Sequence, residues 1–207
     1  MKHYCLDFCT LLNLYCGWGG IQELKSFGSS WSISNTAFEE FTYARAFDAN
    51  GSVQNIGVDR AALLRQYSLN VHTLNGAGEL ATFLDLSQIV DDGEAASLAI
   101  AAHRSLIFVS DDSPALRAAL TLNVQTVSTP DLLIEWAGSD PSRNNQLPVI
   151  VKTIGILAKF APAKSSQHRS WWSHMLGLSG APSFNAGSQH FDAACDPAAP
   201  SSQRALA

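Results

Sequence analysis

Charge is scarce in this chain: Asp, Glu, Lys and Arg make up only 15% of its 207 residues, against 46% apolar side chains. That is ordinary globular material, long enough for one α/β domain with a sizeable core and a modest extension. No apolar run reaches the roughly 18 residues a membrane-spanning helix needs, so no membrane span is expected. The first 16 residues are apolar, but Asp7 interrupts them and no small-residue cleavage site precedes Gly17. A secretory leader is therefore not expected, and the reading is an intracellular, cytoplasmic protein. Cys5, Cys9, Cys16 and Cys195 form no CxxC and no spaced Cys/His set, which argues against a structural zinc or a disulfide framework. The first three fall in the expected first strand and helix, where cysteine usually acts as a small buried hydrophobe. Nor do His3, His72, His103, His168, His174 and His190 converge by spacing, so none is given a role. No internal repeat is visible.

Acid is missing from one whole stretch. Residues 141–191 hold Arg143, Lys152, Lys159, Lys164 and Arg169 without a single Asp or Glu, a balance of +5; residues 1–140 hold 16 acids against 7 bases, a balance of −9. Such an asymmetry suits a body that gathers carboxylates around a cation and offers separate positive charge to a polyanion. A C-terminal helical hairpin packed on an acidic body explains the same numbers.

What is present reads as strands alternating with helices. Residues 3–6 suit a first strand ending at Asp7, and residues 10–15 a helix stopped by Gly17, Gly19 and Gly20. Ser32 to Ser34 leads into a helix expected over 37–47 and closed by the Asn50-Gly51 turn. Helices are expected over 59–67, 80–84 and 95–103, with a strand-like run at 70–74. Residues 106–109 give the clearest strand, followed by a helix over 114–122, a strand over 124–127 and a helix over 130–136. Pro114 and Pro130 stand where a first helical turn tolerates proline. This pattern predicts an α/β fold: a three-layer α/β/α domain on a central parallel sheet, over residues 1–140. Two further helices, over 147–160 and 167–178, form a basic helical extension (141–178). The Ala-, Pro-, Ser- and Gly-rich segment 179–207 reads as a disordered tail.

In an open parallel sheet, ligands bind outside the carboxyl ends of the strands. Asp7 ends the first strand there, and Asp111 and Asp112 end the 106–109 strand, so two distant segments deliver acid to one edge. Glu94 opens the helix that leads into that strand, in Asp92-Gly93-Glu94-Ala95-Ala96, which points it toward the same rim. Glu40 has Tyr43, Ala44 and Phe47 three, four and seven residues on, which on a continuing helix places it on the buried side. Asp92 and Asp112 also have a plain alternative use as helix N-caps, and Glu39 is expected to close a capping box with Thr36. Two unit charges about 5 Å apart repel by roughly 3 kcal/mol at an effective dielectric near 20. Four converging carboxylates therefore demand an offset, and a hard, oxygen-loving cation such as Mg²⁺ or Mn²⁺ supplies it.

Four stretches in order carry a resemblance: Tyr4-Cys5-Leu6-Asp7-Phe8-Cys9-Thr10-Leu11-Leu12-Asn13-Leu14, Phe38-Glu39-Glu40-Phe41, Asp91-Asp92-Gly93-Glu94-Ala95-Ala96-Ser97-Leu98-Ala99 and Val109-Ser110-Asp111-Asp112. They resemble the acidic motifs of PIN-domain nucleases, and Val127-Ser128-Thr129-Pro130-Asp131-Leu132-Leu133 is similar to the last strand and helix of that fold. The resemblance covers about residues 3 to 137. It implies that Asp7, Glu40, Glu94 and Asp112 are the catalytic, metal-binding acids, with Asp111 an accessory or alternative ligand and Ser110 an accessory hydroxyl. Many family members have Asn or Ser two residues after the first acid; this chain has Cys9.

The resemblance further implies Mg²⁺- or Mn²⁺-dependent hydrolysis of RNA phosphodiester bonds, a toxin–antitoxin pairing in which a small protein blocks the acidic groove, and a homodimer. Lys159, Lys164 and Arg169, with Trp171-Trp172, are candidate nucleic-acid contacts; such tryptophans more often anchor a core or an interface. The rival reading is a non-catalytic module that keeps the PIN fold and binds nucleic acid or protein. A dehalogenase-like phosphatase would need a second aspartate two residues after Asp7, and Cys9 excludes it.

Overall fold

The computed structural model describes residues 1–67 and 69–177. The tail expected over 179–207 lies outside the described residues. Five strands form a parallel sheet: β1 (His3–Leu6), β2 (Ser30–Ser34), β5 (Leu69–His72), β6 (Ile107–Val109) and β7 (Thr126–Val127). Their order is β5-β2-β1-β6-β7. β1 is thus central, and the chain builds outward on one side of it before crossing back to the other. The two carboxyl ends that flank the reversal, those of β1 and β6, bound a crevice of the kind that binds ligands in such sheets. A separate antiparallel hairpin joins β3 (Tyr43–Phe47) to β4 (Val53–Gly57).

Successive side chains of β1 divide the core into its two halves, because strand residues alternate between faces. Tyr4 and Leu6 join Trp31, Ile33 and Val109 against helices α1 (Phe8–Trp18), α2 (Asn35–Glu40), α7 (Thr129–Gly138) and α8 (Leu147–Leu157). Cys5 and Phe108 instead face α4 (Gly76–Leu86), α5 (Asp92–Arg104) and α6 (Ser113–Thr121). The result is the expected three-layer α/β/α sandwich with a sheet covered on both faces. Cys5 and Cys16 are buried free thiols, as a small hydrophobe should be, while Cys9 is half-buried.

Helix starts are written in short polar side chains. Asp7, Ser34, Asp91, Asp112 and Ser128 each accept a hydrogen bond from a backbone N–H of the turn they open, capping α1, α2, α5, α6 and α7. Four of these caps end a strand of the sheet or follow it within three residues, so the positive ends of those helices crowd its carboxyl edge. The fifth, at Asp91, opens the helix that leads back into β6.

Three expectations are corrected. The helix expected over 37–47 stops at Glu40; Phe41 leaves helical geometry and the chain turns into β3. The Asn50-Gly51 turn closes a hairpin, with Asp48 Oδ1 accepting from the N–H groups of Asn50 and Ser52 (both 2.8 Å). The cap of α2 is Ser34, whose Oγ accepts from the Ala37 N–H at 3.0 Å; Glu39 instead accepts from Asn35 Nδ2 at 2.8 Å, so no box with Thr36 forms.

Beyond residue 140, α8 turns Leu147, Ile150, Val151, Ile154 and Leu157 into the core beside α1. Gly17 makes that approach close: a Cβ there would meet Ile154 at 2.8 Å. The short helix α9 (Arg169–Met175) buries Trp172 edge-on against Phe160.

Candidate active site

Asp7 continues β1 into the site. Its N–H donates to Val109 O (3.0 Å), and its Oδ1 accepts from the Thr10 N–H at 2.5 Å. The side chain is wholly buried, and Oδ2 has no hydrogen-bond partner. The buried Ser110 hydroxyl stands near enough to favour the charged carboxylate, without closing a bond of normal geometry on Oδ2. Ser110 Oγ accepts from the Asp112 N–H at 3.1 Å. A dehydrated, unpaired carboxylate oxygen is costly, and burial pushes the Asp7 pKa up to about 6.

The other acids arrive on helix ends. Asp91 caps α5, its Oδ1 accepting from the Glu94 N–H at 2.8 Å. Glu94, one turn in, is 8% exposed; burial first, then the charges of Asp91, Asp7 and Asp112, push its pKa up to about 9. Glu40 ends α2 with its carboxylate laid on the first turn of α5: a Cβ at Gly93 would stand 2.5 Å from Glu40 Oε1. The bare Cα of Gly93 makes that seat possible. Burial, then Asp91, Asp92 and Asp7, push the Glu40 pKa up to about 7. Asp112 caps α6 through Oδ2 and the Ala115 N–H (2.9 Å), and its charge helps raise both Glu94 and Asp91. Burial leads the causes that raise Asp91 as well.

Asp111 is held by different partners. Its Oδ1 accepts from the Thr129 N–H at 3.0 Å, and its Oδ2 from the Thr129 hydroxyl and from Asn13 Nδ2, the latter at 3.1 Å. Burial still pushes its pKa up to about 7 against those bonds.

The structure therefore places Asp7 where its charge acts on both Glu40 and Glu94, and Asp112 where its charge acts on Glu94, with Ser110 beside Asp7. Glu40 is well placed for a reason other than the one expected: α2 packs on α5, and no continuing helix is involved. An open groove of about 610 Å³ lies alongside, lined by Thr36, Glu39, Glu40, Val90, Asp91 and Asp92. Among the described residues, none of Asp7, Glu40, Asp91, Glu94 and Asp112 is in an ion pair; the acids so paired are Glu23, Glu79, Asp131 and Glu135.

Three participants escaped the sequence reading. Asp91 stands in the third acidic stretch without a role of its own, although an Asp three residues before Glu94 is a helix-start signal. Asn13 sits on the buried side of an apolar helix, and Thr129 inside what reads as a plain helix start.

The basic residues form a separate group. Lys159 and Lys164 are exposed, and the half-buried Arg169 donates from Nη1 to Pro162 O at 3.0 Å. His168 Nε2 meets Asp131 Oδ1 at 2.8 Å, in the first turn of α7, which ties this segment to the carboxyl edge of the sheet. Among the described residues, no hydrogen bond or ion pair joins Lys159, Lys164 or Arg169 to the acidic set.

The donor set fits a hard divalent cation, being carboxylate oxygen throughout, with one buried oxygen unpartnered and helix N-termini alone to oppose the charge. Among the described residues, no group of three or more Asp, Glu, His or Cys side chains stands arranged to hold a metal ion. Cap bonds hold Asp7, Asp91 and Asp112 by one oxygen each.

Fold and site together define an α/β/α domain with an acidic crevice at its topological switch point. No protein-family model matches the chain, and no curated protein matches it in sequence. Among the described residues, no helix is long and apolar enough to cross a membrane.

Proposed function

We propose that this protein is a metal-dependent endoribonuclease of the PIN type, hydrolysing RNA phosphodiester bonds with Mg²⁺ or Mn²⁺. The observation that carries the reading is Asp7 Oδ2, buried without a partner among the described residues, beside acids that form no ion pair among those residues. Asp7, Glu40, Glu94 and Asp112 would hold the ion, and Asp91, at the lip of the groove, extends the set. When bound, the ion supplies Lewis-acid chemistry, making water a better nucleophile and neutralising charge on the phosphate oxygens.

The chain's own residues do the rest. The caps at Asp7 and Asp112 fix those carboxylates to helix starts, and the groove admits a strand from the side of Glu39 and Asp92. Burial of Asp7 and Glu94 keeps bulk water from screening them. Lys159, Lys164 and Arg169, on a segment tied to the same edge by His168, supply backbone contacts for the RNA. In this reading the protein works in the cytoplasm, as a homodimer, and as the toxin of a pair whose small antitoxin covers the groove; these last features rest on the resemblance to PIN nucleases.

A mixed pool of single-stranded RNA tests the proposal. The unaltered chain should cleave it in millimolar Mn²⁺, EDTA should stop cleavage, and Asp7→Asn should lower it at least 100-fold. RNA that is bound but left whole under all conditions would make the chain a non-catalytic binding module instead.

A further inference from the structure

The loop from β6 to α6 has three residues, Ser110, Asp111 and Asp112. Its outer members belong to the acidic site: Ser110 favours the charged form of Asp7, and Asp112 raises Glu94 and Asp91. Its middle member does not offer itself in the same way. Both carboxylate oxygens of Asp111 already accept hydrogen bonds, one from the Thr129 N–H, the other from the Thr129 hydroxyl and Asn13 Nδ2. Asn13 Nδ2 also donates to Thr129 Oγ1 at 3.3 Å, so the three side chains close a ring. Asn13 is 3% exposed and Thr129 is fully buried. The ring joins three elements far apart in sequence: the middle of α1, the β6–α6 loop and the first residue of α7.

We infer that Asn13, Asp111 and Thr129 form a positioning clamp for the metal-binding acids, with Asp111 pinned so that Ser110 and Asp112 on either side of it are aimed at Asp7 and Glu94. A three-residue bridge held at both ends by β6 and α6 has little freedom left once its centre is fixed. Asn13 lies on the helix that Asp7 caps, so the clamp also ties the Asp7 turn to the Asp112 turn. Groups that orient metal ligands without touching the metal commonly change affinity or activity 10–100-fold when lost. The inference rests on the metal-dependent reading of the site.

The test is Mn²⁺ binding to the full chain, followed by electron paramagnetic resonance at fixed pH, with thermal melting as the check on folding. Thr129→Val removes the hydroxyl at nearly constant shape, and Thr129→Ser keeps it. Asn13→Ala removes the second donor. Thr129→Val and Asn13→Ala should each weaken Mn²⁺ binding about 10-fold or more, while Thr129→Ser stays close to the unaltered chain. Equal affinity in all four proteins overturns the clamp and leaves the metal site standing. So does a Thr129→Ser chain as weak as Thr129→Val. Should Thr129→Val fail to fold, Asn13→Ala and Thr129→Ser decide by the same criteria. No Mn²⁺ binding by the unaltered chain overturns the metal-dependent reading itself, and the clamp with it.

Discussion

At the scale of single residues, the site is a set of carboxyl groups held in the wrong solvent. Asp7, Glu40 and Glu94 have pKa values pushed up to about 6, 7 and 9 from ordinary values of 3.8, 4.5 and 4.5. Each is raised, so between its unfolded and folded pKa the native state binds more protons than the unfolded one. Stability then falls as pH rises through that window. For the metal-free protein the window runs from about 4 to about 9. Its melting temperature should therefore be higher at pH 5 than at pH 8, the wholly buried Asp7 alone contributing on the order of 1 kcal/mol between those two pH values. Saturating Mn²⁺ should shrink that difference, because a cation favours the deprotonated acids. Calorimetry at the two pH values, with and without the ion, checks both statements. A metal-free protein that gains stability toward pH 8 contradicts them.

Among elements, the contact of α2 with α5 decides where Glu40 goes. Gly93→Ala tests it, since the added Cβ would fall 2.5 Å from Glu40 Oε1 and 3.3 Å from Ala37 Cα. Helix propensity favours alanine by about 1 kcal/mol, and the end of a flexible side chain moves cheaply. The variant should melt within a few degrees of the unaltered chain yet lose RNA cleavage about 10-fold or more, as expected for a displaced metal ligand. Loss of folding together with activity would assign Gly93 to packing alone.

The same region shows what sequence conveys and what it withholds. β1, β6, α5 and α6 were legible because each pairs a clear apolar run with a capping or breaking residue. β2 was not, because Trp31-Ser32-Ile33-Ser34 mixes buried polar and apolar residues and runs straight into a cap. β3 reads as the end of a helix because Tyr43, Ala44 and Phe47 stand at helical spacing from Glu40. Of these Ala44 is buried, and it reaches the core from a strand, while Tyr43 and Phe47 are exposed. Tertiary packing outweighed local period there. Asp7, Glu94 and Asp112 are legible as ends of elements and Glu40 through a helix that in fact stops there, whereas the Asn13–Asp111–Thr129 ring depends on three elements meeting and leaves no local pattern.

For the whole molecule, charge and core are divided differently. The basic segment after residue 140 carries its positive side chains on helices and their connection, and the apolar faces of those helices complete the main core. Deleting it would strip Leu147, Ile150, Val151 and Ile154 from the core and uncover the apolar side of α1 that they pack on, so its role in binding is better tested by charge than by truncation. Replacing Lys159, Lys164 and Arg169 with glutamine should leave folding intact and weaken RNA binding. The salt dependence should flatten by up to about 2 in the slope of log K against log salt, three single-strand phosphate contacts being worth roughly 0.7 each. An unchanged slope would place the RNA path elsewhere.

The most direct measurement is thermal melting of the unaltered chain and of Asp7→Asn, each with and without millimolar Mn²⁺. Asparagine keeps the cap on α1 and removes the buried charge, so the variant should melt higher than the unaltered chain when both lack metal. Mn²⁺ should raise the unaltered chain by about 5–10 °C if the ion is near 100 times its dissociation constant, and leave Asp7→Asn unmoved. Equal melting curves in all four samples, or an equal response to Mn²⁺ in both proteins, would contradict a shared cation site centred on Asp7.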